Sequence, residues 1–369
     1  MEAVIAVIGA GTMGAAIALL FANAGFEVTL VDKSRGALRR AEDRHRGESL
    51  EELEEAGLRK RDNPASLITY TTELRVDECD FIVEAIVERL RDKIELFRKI
   101  EERNSPAVLA TNTSSFMPSE IARHLANPER LTLFHFSNPP ILMPLVEVGG
   151  EIVSDETVER AVEMAKSIGK EPVVLRKECR GHVLNRMLGA AGVAVGYCLL
   201  YSRPEEIDAA LRNLGMRYGF FETLDLIGLD VAKDVLESFR EYYGDKYRGI
   251  RAMDFFMEKM VEWGKLGKKS GEGFYKWDGR RASIPEANPA DVTPLVAAIV
   301  NEAFRIVEDG IAEEEIVNRV YRLATNAPYG IIDAAELLGY QCLIEALDDA
   351  FNKTGLEVFR PCKTLRSKA

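Results

Sequence analysis

Histidine is scarce in this chain, with four in 369 residues. A base that titrates near neutrality must be sought at His45, His124, His135 or His182. Cysteine is sparse too. Cys79, Cys179, Cys198, Cys342 and Cys362 are odd in number and never form a Cys-x-x-Cys pair. That argues against a disulfide framework and against a zinc site, and no metal is expected. It fits a reducing, cytoplasmic setting. Basic residues are in deficit: 48 Lys and Arg face 60 Asp and Glu, for a net charge of −12. With no basic stripe, nucleic acid is disfavoured as a partner. Long apolar runs are missing. The longest uncharged stretch, Met187 to Ser202, falls short of the roughly 20 residues that span a bilayer. Its Gly and Ala content suits a buried helix, and no membrane partner is expected. The apolar N-terminus lacks a basic segment and reads as a strand, not as a targeting signal.

What is present is ordinary for a globular protein of two or three domains: 47% hydrophobic and 29% charged residues. The most informative stretch comes first. An apolar run from Ala3 to Ile8 meets Gly9-Ala10-Gly11-Thr12-Met13-Gly14. A helix-compatible stretch, Ala15 to Ala24, is stopped by Gly25. A second apolar run, Val28 to Val31, ends at Asp32. Strand, glycine turn, helix, strand and acid in this order form a dinucleotide-binding fingerprint. Gly9 permits a tight turn, Gly11 lets backbone approach a pyrophosphate, and Gly14 lets helix and strand pack closely. The helix N-terminus, with Thr12 and Met13, offers free N–H groups to phosphate. Asp32 would accept hydrogen bonds from a ribose 2′-hydroxyl and repel a 2′-phosphate, which favours NAD over NADP.

The first half continues to alternate. Strands are expected at 81–83, 107–111, 131–134, 145–148 and 172–175, with helices at 89–102, 118–125 and 155–168. Ser154 and Gly169 are cap candidates for the last helix. The expected fold class is α/β: a Rossmann-like, doubly wound, mostly parallel sheet followed by an all-α domain. The charged segment Glu42 to Glu55 reads as a solvated helical arm. The second half holds a weak repeat. Ile207 to Gly244 and Ile316 to Gly355 overlay with a short gap, through Leu226-Ile227-Gly228 and Leu337-Leu338-Gly339. Asp278 to Thr293, polar with Pro285 and Pro289, has a linker composition. The domains read as 1–179 for the nucleotide, 180–283 for a first helical unit and 291–369 for a second.

Among the histidines, position singles out His135. It follows a strand and precedes a loop with Pro139 and Pro140, and doubly wound sheets bind ligands at that edge. His45 is explained by solvation in the arm, and His124 by a helix C-terminus. His182 begins a helix, where it could pack or meet a substrate. Glu147 lies on the next strand, where its carboxylate could fix the imidazole tautomer or simply be solvated.

Taken together, the fingerprint, Glu84-Ala85-Ile86-Val87-Glu88, Asn112-Thr113-Ser114-Ser115, His135-Phe136-Ser137-Asn138-Pro139, Leu145-Val146-Glu147-Val148 and Asn185-Arg186 resemble the L-3-hydroxyacyl-CoA dehydrogenases. Leu224 to Asp230 and Gly267 to Tyr275 extend the likeness. The repeat after Thr293 is similar to the second helical unit of the fused β-oxidation enzymes. The resemblance implies NAD as cofactor and an acyl-CoA as substrate. His135 would be the base and Glu147 its orienting partner. Ser114 and Asn185 would donate hydrogen bonds around the 3-oxygen and the thioester carbonyl. Asn112, with Glu88, Lys93, Ser114, Asn138 and Lys269, would face the dinucleotide. Glu88 and Lys93 can also be read as helix-surface charges, at i, i+5 and poorly placed to pair. The duplicated helical domain implies an internal pseudo-dimer, with a homodimer also open.

Three features depart from the family pattern: Pro139-Pro140, Leu214 to Phe220, and His182. The first two resemble the λ-crystallin or gulonate dehydrogenase branch, which acts on a free small 3-hydroxy acid. Arg217 would then pair with a carboxylate, or else serve as a helix-end salt bridge. A non-catalytic NAD-binding protein of the same fold is the third reading.

Overall fold

The computed structural model describes residues 3–103, 106–249, 251–279 and 281–369. The chain divides into two units, Met1–Cys179 and Arg180–Ala369.

The first unit is built on an eight-stranded sheet. Its elements run β1 (Val4–Ile8), α1 (Thr12–Ala24), β2 (Glu27–Val31), α2 (Arg35–His45), α3 (Glu48–Glu55), β3 (Ile68–Thr71), β4 (Phe81–Glu84), α4 (Leu90–Arg103), β5 (Val108–Thr111), α5 (Pro118–Ala122), β6 (Leu131–Phe136), β7 (Leu145–Gly149), α6 (Asp155–Ser167) and β8 (Glu171–Leu175). The strand order is β3-β2-β1-β4-β5-β6-β7-β8. Every pairing is parallel except β6 with β7. Helices on both faces explain why β4, β5 and β6 are buried along their whole length. Ile5, Val7, Phe81 and Phe134 fill one side with α1, while Ala6, Ile82, Leu109 and Ile121 fill the other.

Two expectations need correction here. β3 was not foreseen. It is four residues long and sits at the sheet edge, so it carries almost no periodic signal. The charged arm is helical but not solvated along its length. Within it His45, Ser49 and Leu53 are buried at steps of four, in line with Leu38 and Ala41 just before it, a stripe hidden among charges. His45 is therefore no surface residue. Its Nε2 donates to the Ala15 carbonyl of α1 at 2.8 Å, and its Nδ1 accepts from the Tyr70 hydroxyl at 2.8 Å. Burial pushes its pKa down to about 4.

The second unit contains α7 (His182–Cys198), α8 (Pro204–Asn213), α9 (Phe220–Ile227), α10 (Leu229–Tyr243), α11 (Arg251–Glu262), β9 (Lys276–Asp278), β10 (Arg281–Ser283), α12 (Thr293–Glu308), α13 (Glu314–Thr325), α14 (Ile331–Leu338), α15 (Tyr340–Thr354) and α16 (Lys363–Arg366). The expected linker thus opens with a short antiparallel ribbon, β9 with β10.

The repeat is visible in hydrogen bonds. Asp208 on α8 accepts from the N–H groups of Phe221 and Glu222 at the start of α9. Asn318 on α13 accepts from the N–H of Ile332 at the start of α14. The two copies pack on each other within the chain, α12 lying along α7. Their matching turns also meet: the Tyr329 hydroxyl donates to the Leu214 carbonyl, and the Tyr321 hydroxyl lies 3.6 Å from the Met216 sulfur. Among the described residues no helix is long and apolar enough to cross a membrane.

Candidate active site

The glycine turn is forced by its surroundings. A Cβ on Gly9, which has φ 107°, would stand 2.3 Å from the Ala85 carbonyl oxygen. One on Gly14 would stand 1.8 Å from the Gly9 carbonyl oxygen. Gly11 differs, because nothing lies within 4 Å of where its Cβ would be. Gly11 also begins α1 without a side-chain cap, and the first turn carries no acid. Asp32 accepts from the N–H of Ala10 at 2.8 Å and of Ser34 at 2.7 Å, which ties the end of β2 to the turn. Open space beside uncapped N–H groups, with a carboxylate one strand over, fits a dinucleotide.

The second cluster lies on β5, β6 and β7 and the loops that follow them. The antiparallel register of β6 and β7 sets His135 directly opposite Glu147. His135 Nδ1 lies 2.7 Å from Glu147 Oε2, and both side chains are buried. A carboxylate only accepts, so Nδ1 carries the hydrogen and Nε2 presents its lone pair. The Ser114 hydroxyl lies 3.2 Å from Nε2. Asn112 accepts from the N–H of Phe136 at 3.0 Å and so joins the end of β5 to that of β6. Asn138 stands in the loop between β6 and β7. Lys170 holds that loop, its Nζ donating to the carbonyls of Ile141 and Met143 at 2.8 and 2.9 Å. With no carboxylate there, burial pushes Lys170 down to about 7.

An ion network, buried at Glu84 and Lys93 and open to solvent at Glu88, supports Ser114. Lys93 donates to Glu84 at 2.6 Å and lies 3.0 Å from Glu88. Glu88 in turn accepts from the Thr113 hydroxyl and from the N–H groups of Ser114 and Ser115 at 2.5 to 3.0 Å. The surface-charge reading fails for Lys93, which is buried, while Glu88 keeps an exposed face and pairs with it despite the i, i+5 spacing. Glu88 precedes the first residue of α4, so helical spacing does not govern the pair. Burial pulls Lys93 down, but the two carboxylates hold it above its ordinary value. Burial pushes Glu88 up, and Lys93 and Thr113 outweigh it to hold the carboxyl low. Glu84 was not among the expected site residues. Its signal was an acid ending an apolar strand, where it also accepts from the Thr111 hydroxyl at 2.7 Å.

The remaining candidates belong to the second unit. Asn185 lies in the first turn of α7, and His182 starts that helix, buried, with φ 55°. Lys269 pairs with Asp230 at 2.5 Å. The Arg217 guanidinium lies over the Tyr218 ring at 5.3 Å. His124 is exposed. Among the described residues, no group of three or more His, Cys, Asp or Glu is arranged to hold a metal ion.

Comparison with known proteins agrees with this layout. Residues 4–179 match the 3-hydroxyacyl-CoA dehydrogenase NAD binding domain. Residues 181–277, and again 292–369, match the C-terminal domain of that family. A 3-hydroxyadipyl-CoA dehydrogenase of Escherichia coli (strain K12) is 29% identical across 99% of this chain and 97% of its own length. A probable 3-hydroxybutyryl-CoA dehydrogenase of Deinococcus radiodurans is 38% identical across 73% of this chain and 99% of its own. The crystal structure of a 3-hydroxybutyryl-CoA dehydrogenase from Escherichia coli K12 superposes with a TM-score of 0.82 at 28% identity, covering 100% of this chain and 98% of that one. With both of its domains matched and the C-terminal one matched twice, this chain belongs to the 3-hydroxyacyl-CoA dehydrogenase family and carries that family's NAD-binding domain.

Proposed function

We propose that this enzyme oxidises an L-3-hydroxyacyl-CoA to the 3-ketoacyl-CoA with NAD, in fatty acid or butanoate breakdown. The observation that carries the reading is the Ser114–His135–Glu147 relay at the sheet edge. Oxidation of the substrate removes a hydride from C3 and a proton from its oxygen. Bound NAD supplies the hydride acceptor. His135 Nε2 takes the proton, and Glu147 stabilises the imidazolium that results. The Ser114 hydroxyl then donates to the 3-oxygen, from a backbone that Glu88 holds in place. Asn185 serves the thioester carbonyl, as the family resemblance implies.

The same three side chains would suit a hydrolase triad. The N–H groups of Ser114 and Ser115, which could stabilise a tetrahedral oxyanion, are instead engaged by Glu88. That favours redox chemistry. A free 3-hydroxy acid is the lesser reading. The relatives similar over nearly the whole chain carry CoA thioesters in their names, and Arg217 is engaged with Tyr218. The pairing of α7 with α12 supports an intramolecular form of the contact that would otherwise need a second subunit. A cytoplasmic setting goes with this reading, on the scattered cysteines.

NADH absorbance with acetoacetyl-CoA, beside free acetoacetate and NAD-dependent oxidation of L-gulonate, tests it. Oxidation of NADH by the thioester alone is expected. Activity on a free acid alone would overturn it. His135→Ala should fold and bind NADH yet lose turnover by about 10⁴-fold, and near-normal turnover would remove His135 from the mechanism.

A further inference from the structure

The two helical copies are not equivalent where they touch. Arg186 is the residue after Asn185 on α7, and it is buried. Its Nε donates to Glu302 Oε1 at 2.8 Å, and its Nη2 lies 2.6 Å from the same oxygen. Nη2 also reaches Asp309 at 2.9 Å. Glu302 and Asp309 belong to the second copy, on α12 and at its end. Lys246 donates to Glu302 at 2.9 Å. The Tyr247 hydroxyl lies 3.2 Å from Glu302 and 3.3 Å from the Arg186 carbonyl. In register with Asp208 and Asn318, Glu302 falls opposite Gly192, and Arg186 falls opposite Val296. Each copy therefore owns one half of a single ion pair.

The pair lies one turn from a helix start of unusual backbone shape. Gly181 and His182 both have φ in the left-handed region, at 77° and 55°, and no side chain caps α7. A short-range sequence signal does not fix how such a turn is rotated. A planar guanidinium whose Nε and Nη2 converge on one Glu302 oxygen, and whose Nη2 also reaches Asp309, is held between two carboxylates and loses its freedom to turn.

We propose that Glu302 is a positioning residue. Through Arg186 it sets the first turn of α7 and so the direction of the Asn185 carboxamide. The second copy then takes part in the reaction as the splint for a site residue of the first. This rests on the role proposed above for Asn185.

The test compares Glu302→Gln, Glu302→Asp and the apolar replacement Arg186→Met/Glu302→Leu in the full-length protein. In folded Glu302→Gln, kcat with acetoacetyl-CoA should fall by about tenfold or more, while Kd for NADH stays within about twofold. Glu302→Asp should recover most of the loss. The apolar pair, which removes both fully buried charges and leaves only the part-exposed Lys246 and Arg305 beside them, should fold and lose turnover to the same degree. Wild-type kcat in folded Glu302→Gln or in the folded apolar pair would overturn the proposal. If the wild type turns over no thioester, the functional reading fails, and the Asn185 side-chain amide resonance decides this one. Assigned by its loss in Asn185→Ala, it should shift in Glu302→Gln, and an unmoved signal would overturn the proposal.

Discussion

Glu147 and Glu302 are both buried carboxylates, but their neighbours differ in kind. Glu147 faces one imidazole, whose charge can change. Glu302 faces the guanidinium groups of Arg186 and Arg305, which stay charged, and the Lys246 ammonium. Burial pushes the Glu302 carboxyl up, and these three cations outweigh it and hold the carboxyl below its ordinary value. A carboxylate beside a titratable base can help move a proton. One locked among fixed cations can only set geometry. Substitutions should therefore separate the two, in the proton-transfer step at one place and in the geometry of the first turn of α7 at the other.

The largest effect should come from removing 291–369. That deletion strips α12 from α7, bares the apolar face of α7 and removes both carboxylates from Arg186. The loss should exceed about 5 kcal/mol, comparable to the stability of a whole domain. Light scattering and circular dichroism should show association or lost helix. A monomer with an unchanged Tm would break the comparison.

Glu147→Gln should come next, and in rate. The amide can still accept from Nδ1, but it gives the imidazolium no charge partner. A fall of about 10³-fold in kcat, about 4 kcal/mol, is expected with little change in Tm. A kcat within about tenfold would make Glu147 a packing residue.

His45 sharpens the contrast, as a buried histidine with no carboxylate at all. It titrates near 6.5 in the unfolded chain and near 4 in the folded one. Between those values the unfolded state binds more protons, so stability is lost as pH falls through that window, by about 3 kcal/mol in all. Urea unfolding at neutral and acid pH should show this loss in the wild type and a smaller one in His45→Gln. An equal loss in both would refute it.

Much of this was legible in the residues. The glycine turn, the alternation of strands and helices and the repeat all rest on local signals, and His135 was reached from its place at a strand end. The contact between His135 and Glu147 was expected from the family resemblance and left open by spacing alone, because it depends on the one antiparallel pairing in the sheet. His45 was misread because charge dominates α2 and masks a narrow apolar stripe. Glu84 was missed because a buried acid is stable only beside a cation nine positions on, a pairing that no helical or strand period announces. The Arg186–Glu302 pair spans 116 positions and arises only when two copies fold together.

The reversal of β7 has a consequence for how such an enzyme could be altered. In a parallel pair, the connection between strands must cross the sheet, and its length is tied to register. Here the chain turns back, and ladder bonds clamp both ends of the 137–144 segment. The part-exposed Leu142 and Pro144 are where that segment can be exchanged to change what the enzyme admits, while the buried Ile141 and Met143, held by Lys170, keep the proton relay behind it in step.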